Sequence, residues 1–133
     1  MKKLKCVLLV EDDQTHNFFN SFLIESLALA DQVAVAENGA DALQYLERAG
    51  SGEEQMPELI LLDINMPVMN GFEFIDTYEK LNEDMKSKIL VVMLTTSMRP
   101  TDIERAKSYP SIAEYLYKPL SQQTLSDLIG KYF

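Results

Sequence analysis

The chain has 133 residues, the commonest size for a single domain, so a second unit with its own core is not expected. Hydrophobic residues make up 47% and charged residues 25% of it, a balance that excludes intrinsic disorder. Lys and Arg total 12 against 21 Asp and Glu, a formal charge of -9, so most of the surface would repel a nucleic-acid backbone or an anionic membrane, and direct DNA binding is disfavoured.

Met1-Lys2-Lys3 is followed by only a short apolar run before Glu11-Asp12-Asp13. No stretch approaches the length of a membrane span, and the expectation is a cytoplasmic protein from which nothing is cleaved. Cys6 to Val10 reads as the first strand, and Cys6, the single cysteine, reads as a small core residue in keeping with a reducing compartment. The first helix follows, with Phe18, Phe19, Phe22, Leu23 and Leu27 as its expected buried stripe. Val33 to Ala36 is the second strand. Asn38-Gly39 opens a helix with Ala42, Leu43 and Leu46 inward, and Gly50-Ser51-Gly52 closes it. The segment from Gly50 to Gln55 is a solvated loop.

Leu59 to Leu62 is rich in leucine, so propensity alone does not make it a strand and its neighbours decide. Phe74, Ile75, Tyr78 and Leu81 mark the third helix, Ile89 to Leu94 the fourth strand, and Ile103 with Ala106 a short, mostly polar fourth helix. Ile112 to Tyr117 is the fifth strand. After Pro119, Ser121 caps a fifth helix whose Leu125, Leu128, Ile129 and Tyr132 recur at helical spacing. The helical aromatics are read as core, not as ligand contacts. Five alternating strand and helix pairs predict an α/β fold, a parallel sheet covered by helices on both faces.

The polar residues fall at the carboxyl ends of these strands: Glu11-Asp12-Asp13 after the first, Asp63 after the third, Thr95-Thr96 after the fourth and Lys118-Pro119 after the fifth. In a parallel sheet those ends share one edge, where open α/β sheets bind ligands. The second strand ends in Glu37-Asn38-Gly39 and offers less chemistry, as expected if it lies at the sheet's margin; an order 2-1-3-4-5 would make it so. Glu11, Asp12 and Asp63 brought together would raise one another's pKa unless a cation neutralised them. Oxygen ligands without a His or Cys cluster favour Mg²⁺, or Mn²⁺ in its place, and Mg²⁺ keeps waters for a phosphate. Lys118 supplies a mobile positive charge and Thr95 a hydroxyl for phosphoryl oxygens, and one carboxylate is then the nucleophile that forms an acyl phosphate.

Over about residues 4 to 133 the sequence resembles the response-regulator receiver domains of two-component signalling. The resemblance rests on Leu8-Leu9-Val10-Glu11-Asp12-Asp13, on Leu61-Leu62-Asp63-Ile64-Asn65-Met66-Pro67 with Gly71, on Met93-Leu94-Thr95-Thr96-Ser97 and on Tyr115-Leu116-Tyr117-Lys118-Pro119. It implies a flavodoxin-like, doubly wound sheet of order 2-1-3-4-5 with five flanking helices. It also implies Asp63 as phosphoacceptor, a choice that spacing alone leaves open among three carboxylates. Asp12 would ligate the metal directly, Glu11 mainly through water, and the Asn65 backbone carbonyl would complete the protein's share. Thr95 and Lys118 would hold the attached phosphoryl group, and Tyr115 would turn inward as Thr95 moves, reshaping the face formed by the fourth helix, fifth strand and fifth helix. A sensor histidine kinase or a phosphotransfer protein is the implied donor. With nothing after Phe133, no output domain is expected, and the output would be contact with a separate protein.

The sequence departs from that pattern in Glu11, where many relatives have Asp, and in Ser108-Tyr109-Pro110-Ser111, where a Gly-Ala turn is frequent. Asn65 and Ser97 stand where side chains tune phosphate lifetime. Asp13 reads as a helix N-cap, and His16 as surface or near-site packing. Thr96 could replace Thr95, but adjacent residues of a strand face opposite ways. Lys118-Pro119 is either a plain strand terminator or, as is common in the family, a cis bond. The principal alternative is a receiver-like protein-binding module that works without phosphorylation. A haloacid-dehalogenase-type phosphatase would need a second Asp where Asn65 stands, a flavodoxin-like carrier would need a phosphate loop where the acids stand, and the Asn65 to Gly71 stretch fails the calcium-loop pattern.

Overall fold

The computed structural model describes residues 3–133, so the Met1-Lys2 start of the expected leaderless terminus lies outside the described residues. The elements in chain order are β1 (Leu4–Val10), α1 (Gln14–Ser26), β2 (Ala30–Ala36), α2 (Gly39–Gly50), β3 (Leu59–Leu62), α3 (Gly71–Tyr78), α4 (Glu83–Lys86), β4 (Leu90–Thr95), α5 (Pro100–Lys107), β5 (Ile112–Tyr117) and α6 (Gln122–Tyr132). All strand pairs are parallel and the order is β2-β1-β3-β4-β5. The leucine run of β3 becomes a strand because it lies between β1 and β4, with all four residues buried. The sheet is therefore the flavodoxin-like one expected, with β2 at its margin.

Two apolar layers sandwich it. Leu8, Val10, Ile60, Leu62, Val91 and Met93 point to the side covered by α2, α3 and α5, while Val7, Leu9, Leu59, Leu61, Val92 and Leu94 point to the side covered by α1 and α6. The alternation of the strand residues sorts them between the layers. Cys6 is buried as expected, its Sγ 3.5 Å from the Tyr45 hydroxyl.

Three expectations need correction. Phe18, Phe19 and Phe22 are not core: they are 65%, 62% and 63% exposed. The inward face of α1 carries Asn17 and Ile24, two turns apart, with Leu23 and Leu27 beside them. Asn17 is held inward because its Nδ2 donates to the Glu11 carbonyl at 2.8 Å, and that bond together with the buried Ile24 turns this face of the helix to the sheet. Tyr132, the last residue of the α6 stripe, is also exposed, and the neighbouring Phe133 packs against that layer instead. Finally, the helix count is six: a single turn, α4, is capped by Asn82, whose Oδ1 accepts from Asp84 and Met85. The fourth and fifth helices expected from the sequence are thus α5 and α6.

Candidate functional site

The carboxyl ends of β1 and β3 are neighbours by register, Val10 opposite Leu62, so the residues that follow them meet. Glu11, Asp12 and Asp63 each bring a carboxylate oxygen within 4.8 Å of the others. Glu11 and Asp63 are buried while Asp12 stands at the exposed rim. The protein wall behind Asp12, and then Glu11 beside it, raise its pKa above the ordinary aspartate value. Crowded acids with no His or Cys among them fit a hard divalent cation such as Mg²⁺ or Mn²⁺.

Asp63 is fixed twice. Its amide donates to the Val10 carbonyl at 3.0 Å, and its Oδ1 accepts from the Ile64 amide at 2.8 Å. The following turn brings the Gly71 amide onto the Ile64 carbonyl at 2.9 Å. A Cβ at position 71 would lie 2.2 Å from the Asp63 carbonyl oxygen, so any larger residue there would push Asp63 out of place. Asn65 is exposed in the same turn.

Lys118 arrives from the end of β5, its amide bound to the Thr95 carbonyl at 2.9 Å, and the peptide bond to Pro119 is cis. Its side chain is only 9% exposed. The ammonium donates to the Glu11 carboxylate, to Asp63 Oδ2 at 3.3 Å, and faces His16 Nδ1 at 3.1 Å. Thr95 is fully buried, whereas Thr96 is exposed, so the alternation expected for the pair is present. Thr95 Oγ1 accepts from the Ser97 amide at 3.2 Å, and the Tyr115 hydroxyl donates to the Ser97 carbonyl at 2.9 Å. Ser97 Oγ in turn donates to Asp102 Oδ2 at 2.6 Å, on the first turn of α5.

The sequence places the acids, Thr95 and Lys118 at this edge and leaves one neighbour without a part in it. His16, expected at the surface or packed near the site, lies beside it, and its ring nitrogen meets the Lys118 ammonium, a polar contact that packing alone does not imply. Asp13 does cap α1 as expected, its Oδ1 accepting the His16 amide at 3.0 Å, and this cap delivers the imidazole to the site. The departure at Ser108 to Ser111 also has a structural use: Tyr109 stacks on Phe72 and donates to Asp76, tying the end of α5 to α3.

Residues 7–130 match the family described as the response regulator receiver domain. The chain belongs to that family. The receiver is 31% identical over 125 residues to the protein PilH of Pseudomonas aeruginosa, covering 93% of each chain. The crystal structure of a two-component response regulator from Cytophaga hutchinsonii superimposes with a TM-score of 0.87 at 32% identity, covering 98% of this chain and 97% of that one. The Mn(2+)-bound form of response regulator Rcp1 is similar at 28% identity with a TM-score of 0.70, covering 96% and 90%. A receiver is a phosphoacceptor signalling module rather than an enzyme, and the acidic pocket of this one is of the metal-binding kind. Among the described residues no helix is long and apolar enough to cross a membrane.

Proposed function

We propose that this receiver works in the cytoplasm, accepting a phosphoryl group on Asp63 from a histidine kinase or phosphotransfer protein and passing the signal on by protein contact. The observation that carries this reading is the seat of Lys118, whose ammonium is buried against both Glu11 and Asp63 at the shared strand edge. In the transfer, an Asp63 carboxylate oxygen forms the new bond to phosphorus as the phosphorus–nitrogen bond of a phosphohistidine breaks, and the leaving imidazole keeps the electron pair and takes a proton. Asp63 is presented for this by the Ile64 and Gly71 contacts. Glu11, Asp12, Asp63 and the Asn65 carbonyl would hold a divalent cation, which would offset charge on the phosphoryl oxygens. Lys118 and the Thr95 hydroxyl would bind those oxygens.

The added group carries about -1.5 to -2 charges, taking phosphoserine as the guide, which is small beside -9, so local contacts must carry the signal. Moving an element from 1:99 to 99:1 takes about 5.5 kcal/mol. Charged hydrogen bonds contribute about 1.5–3 kcal/mol each, so Lys118, Thr95 and a backbone donor together are of the right size and one alone is not. Ser97 gives the path: it is bound by Thr95 on one side and by Tyr115 on the other, and it holds Asp102 of α5. Drawing Thr95 toward a phosphoryl oxygen releases the Ser97 amide and reshapes the α5, β5 and α6 face.

The donor's approach is read from a groove of about 520 Å³ between α1 and the β5–α6 connection, where Phe19, Phe22, Leu23, Pro119 and Leu120 lead to Lys118. Its continuity with the site fits an amphipathic helix that carries the phosphohistidine, with a basic flank to suit the acidic receiver. The test is incubation with acetyl phosphate and Mg²⁺ followed by intact mass. One phosphoryl group per chain, lost in Asp63→Asn, is expected. Turnover of many phosphoesters would make the protein a phosphatase, and no labelling would leave a binding module.

A further inference from the structure

Lys118 has three neighbours at its ammonium, and only two of them are carboxylates. The third is Nδ1 of His16, on the first turn of α1, a residue with no part in the chemistry described above. With Lys118 charged, a proton on Nδ1 would set two N–H donors against each other across 3.1 Å. The same Nδ1 lies 3.4 Å from Glu11 Oε1, so without a cation the ring nitrogen is shared between Glu11 and the ammonium, and once a cation takes Glu11 it is left to face Lys118 as an acceptor.

We propose that His16 is a positioning residue for Lys118, keeping the ammonium at the site when a divalent cation takes up Glu11 and Asp63. The inference rests on the phosphoacceptor reading of this pocket and deepens it. A cation and Lys118 compete for the same two carboxylates. Once those are engaged elsewhere, a largely buried ammonium needs another acceptor, because leaving it unpaired is costly and its four-carbon stem would otherwise swing out at random. A third carboxylate in that role would repel an incoming phosphoryl group and draw the cation away. A neutral ring nitrogen does neither. The Asp13 cap on the His16 amide fixes where that nitrogen stands.

The test uses the full chain with His16→Leu, which removes the acceptor, and His16→Gln, which restores one through its side-chain carbonyl. The ring is half-exposed, so both variants should fold like the parent. In calorimetric titration with MgCl₂, His16→Leu should bind about tenfold more weakly, the size of one hydrogen bond to a charged group, and His16→Gln within about threefold of the parent. Nitrogen-detected NMR of the Mg²⁺-loaded protein should show the Lys118 ammonium, assigned through Lys118→Arg, slowed in exchange with water in the parent and in His16→Gln, and fast in His16→Leu. Equal affinities for the parent and His16→Leu, or a glutamine variant as weak as the leucine one, would overturn the proposal. Labelling by acetyl phosphate with a flat affinity series overturns the His16 contact alone. An intact affinity series without labelling of the parent overturns the phosphoacceptor reading and leaves the contact standing, and no Mg²⁺ uptake by the parent overturns both.

Discussion

Helices α1 and α6 cover the same side of the sheet, and both show apolar residues at three- and four-residue steps, but they use them differently. Helix α6 turns Leu125, Leu128 and Ile129 into the core. Helix α1 buries Ile24 and the polar Asn17, and leaves Phe18, Phe19 and Phe22 outside, where Phe18 stacks on Phe22 at 6.4 Å and meets Phe19 edge-on at 5.6 Å. The difference teaches that an apolar stripe reports a surface that needs covering, not what covers it. In α6 the cover is the sheet; in α1, on the proposed docking of the phosphoryl donor, it would be a partner protein.

The largest effects should come from the buried halves of the two helices. Ile24→Ala in α1 and Leu128→Ala in α6 should each lose about 2–5 kcal/mol of stability in denaturant titrations, because each empties a filled site under the sheet. Loss of less than about 1 kcal/mol at Ile24 would mean that α1 is seated by its outer face after all. The outer face should behave in the opposite way. Phe19→Ser combined with Phe22→Ser should leave stability nearly unchanged and labelling by acetyl phosphate intact, while phosphotransfer from a protein donor falls at least tenfold, roughly 1.4 kcal/mol. Equal losses with the small donor and the protein donor would erase the distinction between the two faces.

The smallest effect sharpens the comparison at the helix starts. Asp13 caps α1 with an ionised carboxylate, and Ser121 caps α6 with a hydroxyl that accepts from the Thr124 amide at 3.1 Å. The amide of His16 holds the Asp13 pKa below its ordinary value. A lowered value in the folded state means that the cap's contribution is complete above the unfolded aspartate pKa, about 3.9, and is lost as pH falls through the lower folded value. Amide exchange in the first turn of α1 should therefore quicken on acidification through that window while the first turn of α6 is unmoved. Parallel behaviour at both starts would show global unfolding instead.

Much of the fold could be read from the sequence because strands one, three and four are near-continuous apolar runs, as strands buried on both faces must be. The site could be read for the same reason: Glu11, Asp63 and Thr95 each break or end such a run. What could not be read was the rotation of α1. Hydrophobic spacing favoured the phenylalanines, and the opposing bond from Asn17 to the Glu11 carbonyl joins residues whose meeting depends on the turn between β1 and α1. The same rotation, with the Asp13 cap, brings His16 beside Lys118, so the misread face and the unforeseen contact share one origin in the β1–α1 turn. Helix α4 escaped because a single polar turn has no periodicity, although Asn82 with Glu83-Asp84 behind it is the sequence of a capped start.

The aromatic ridge on a chain of charge -9 also governs how copies of the molecule treat one another in bulk solution. In dilute buffer the net charge holds them apart, but at physiological ionic strength the screening length shrinks to about 8 Å, little more than the height of the rings themselves. Added salt should therefore weaken the repulsion that keeps these ridges apart, and light scattering of concentrated stocks should rise with ionic strength.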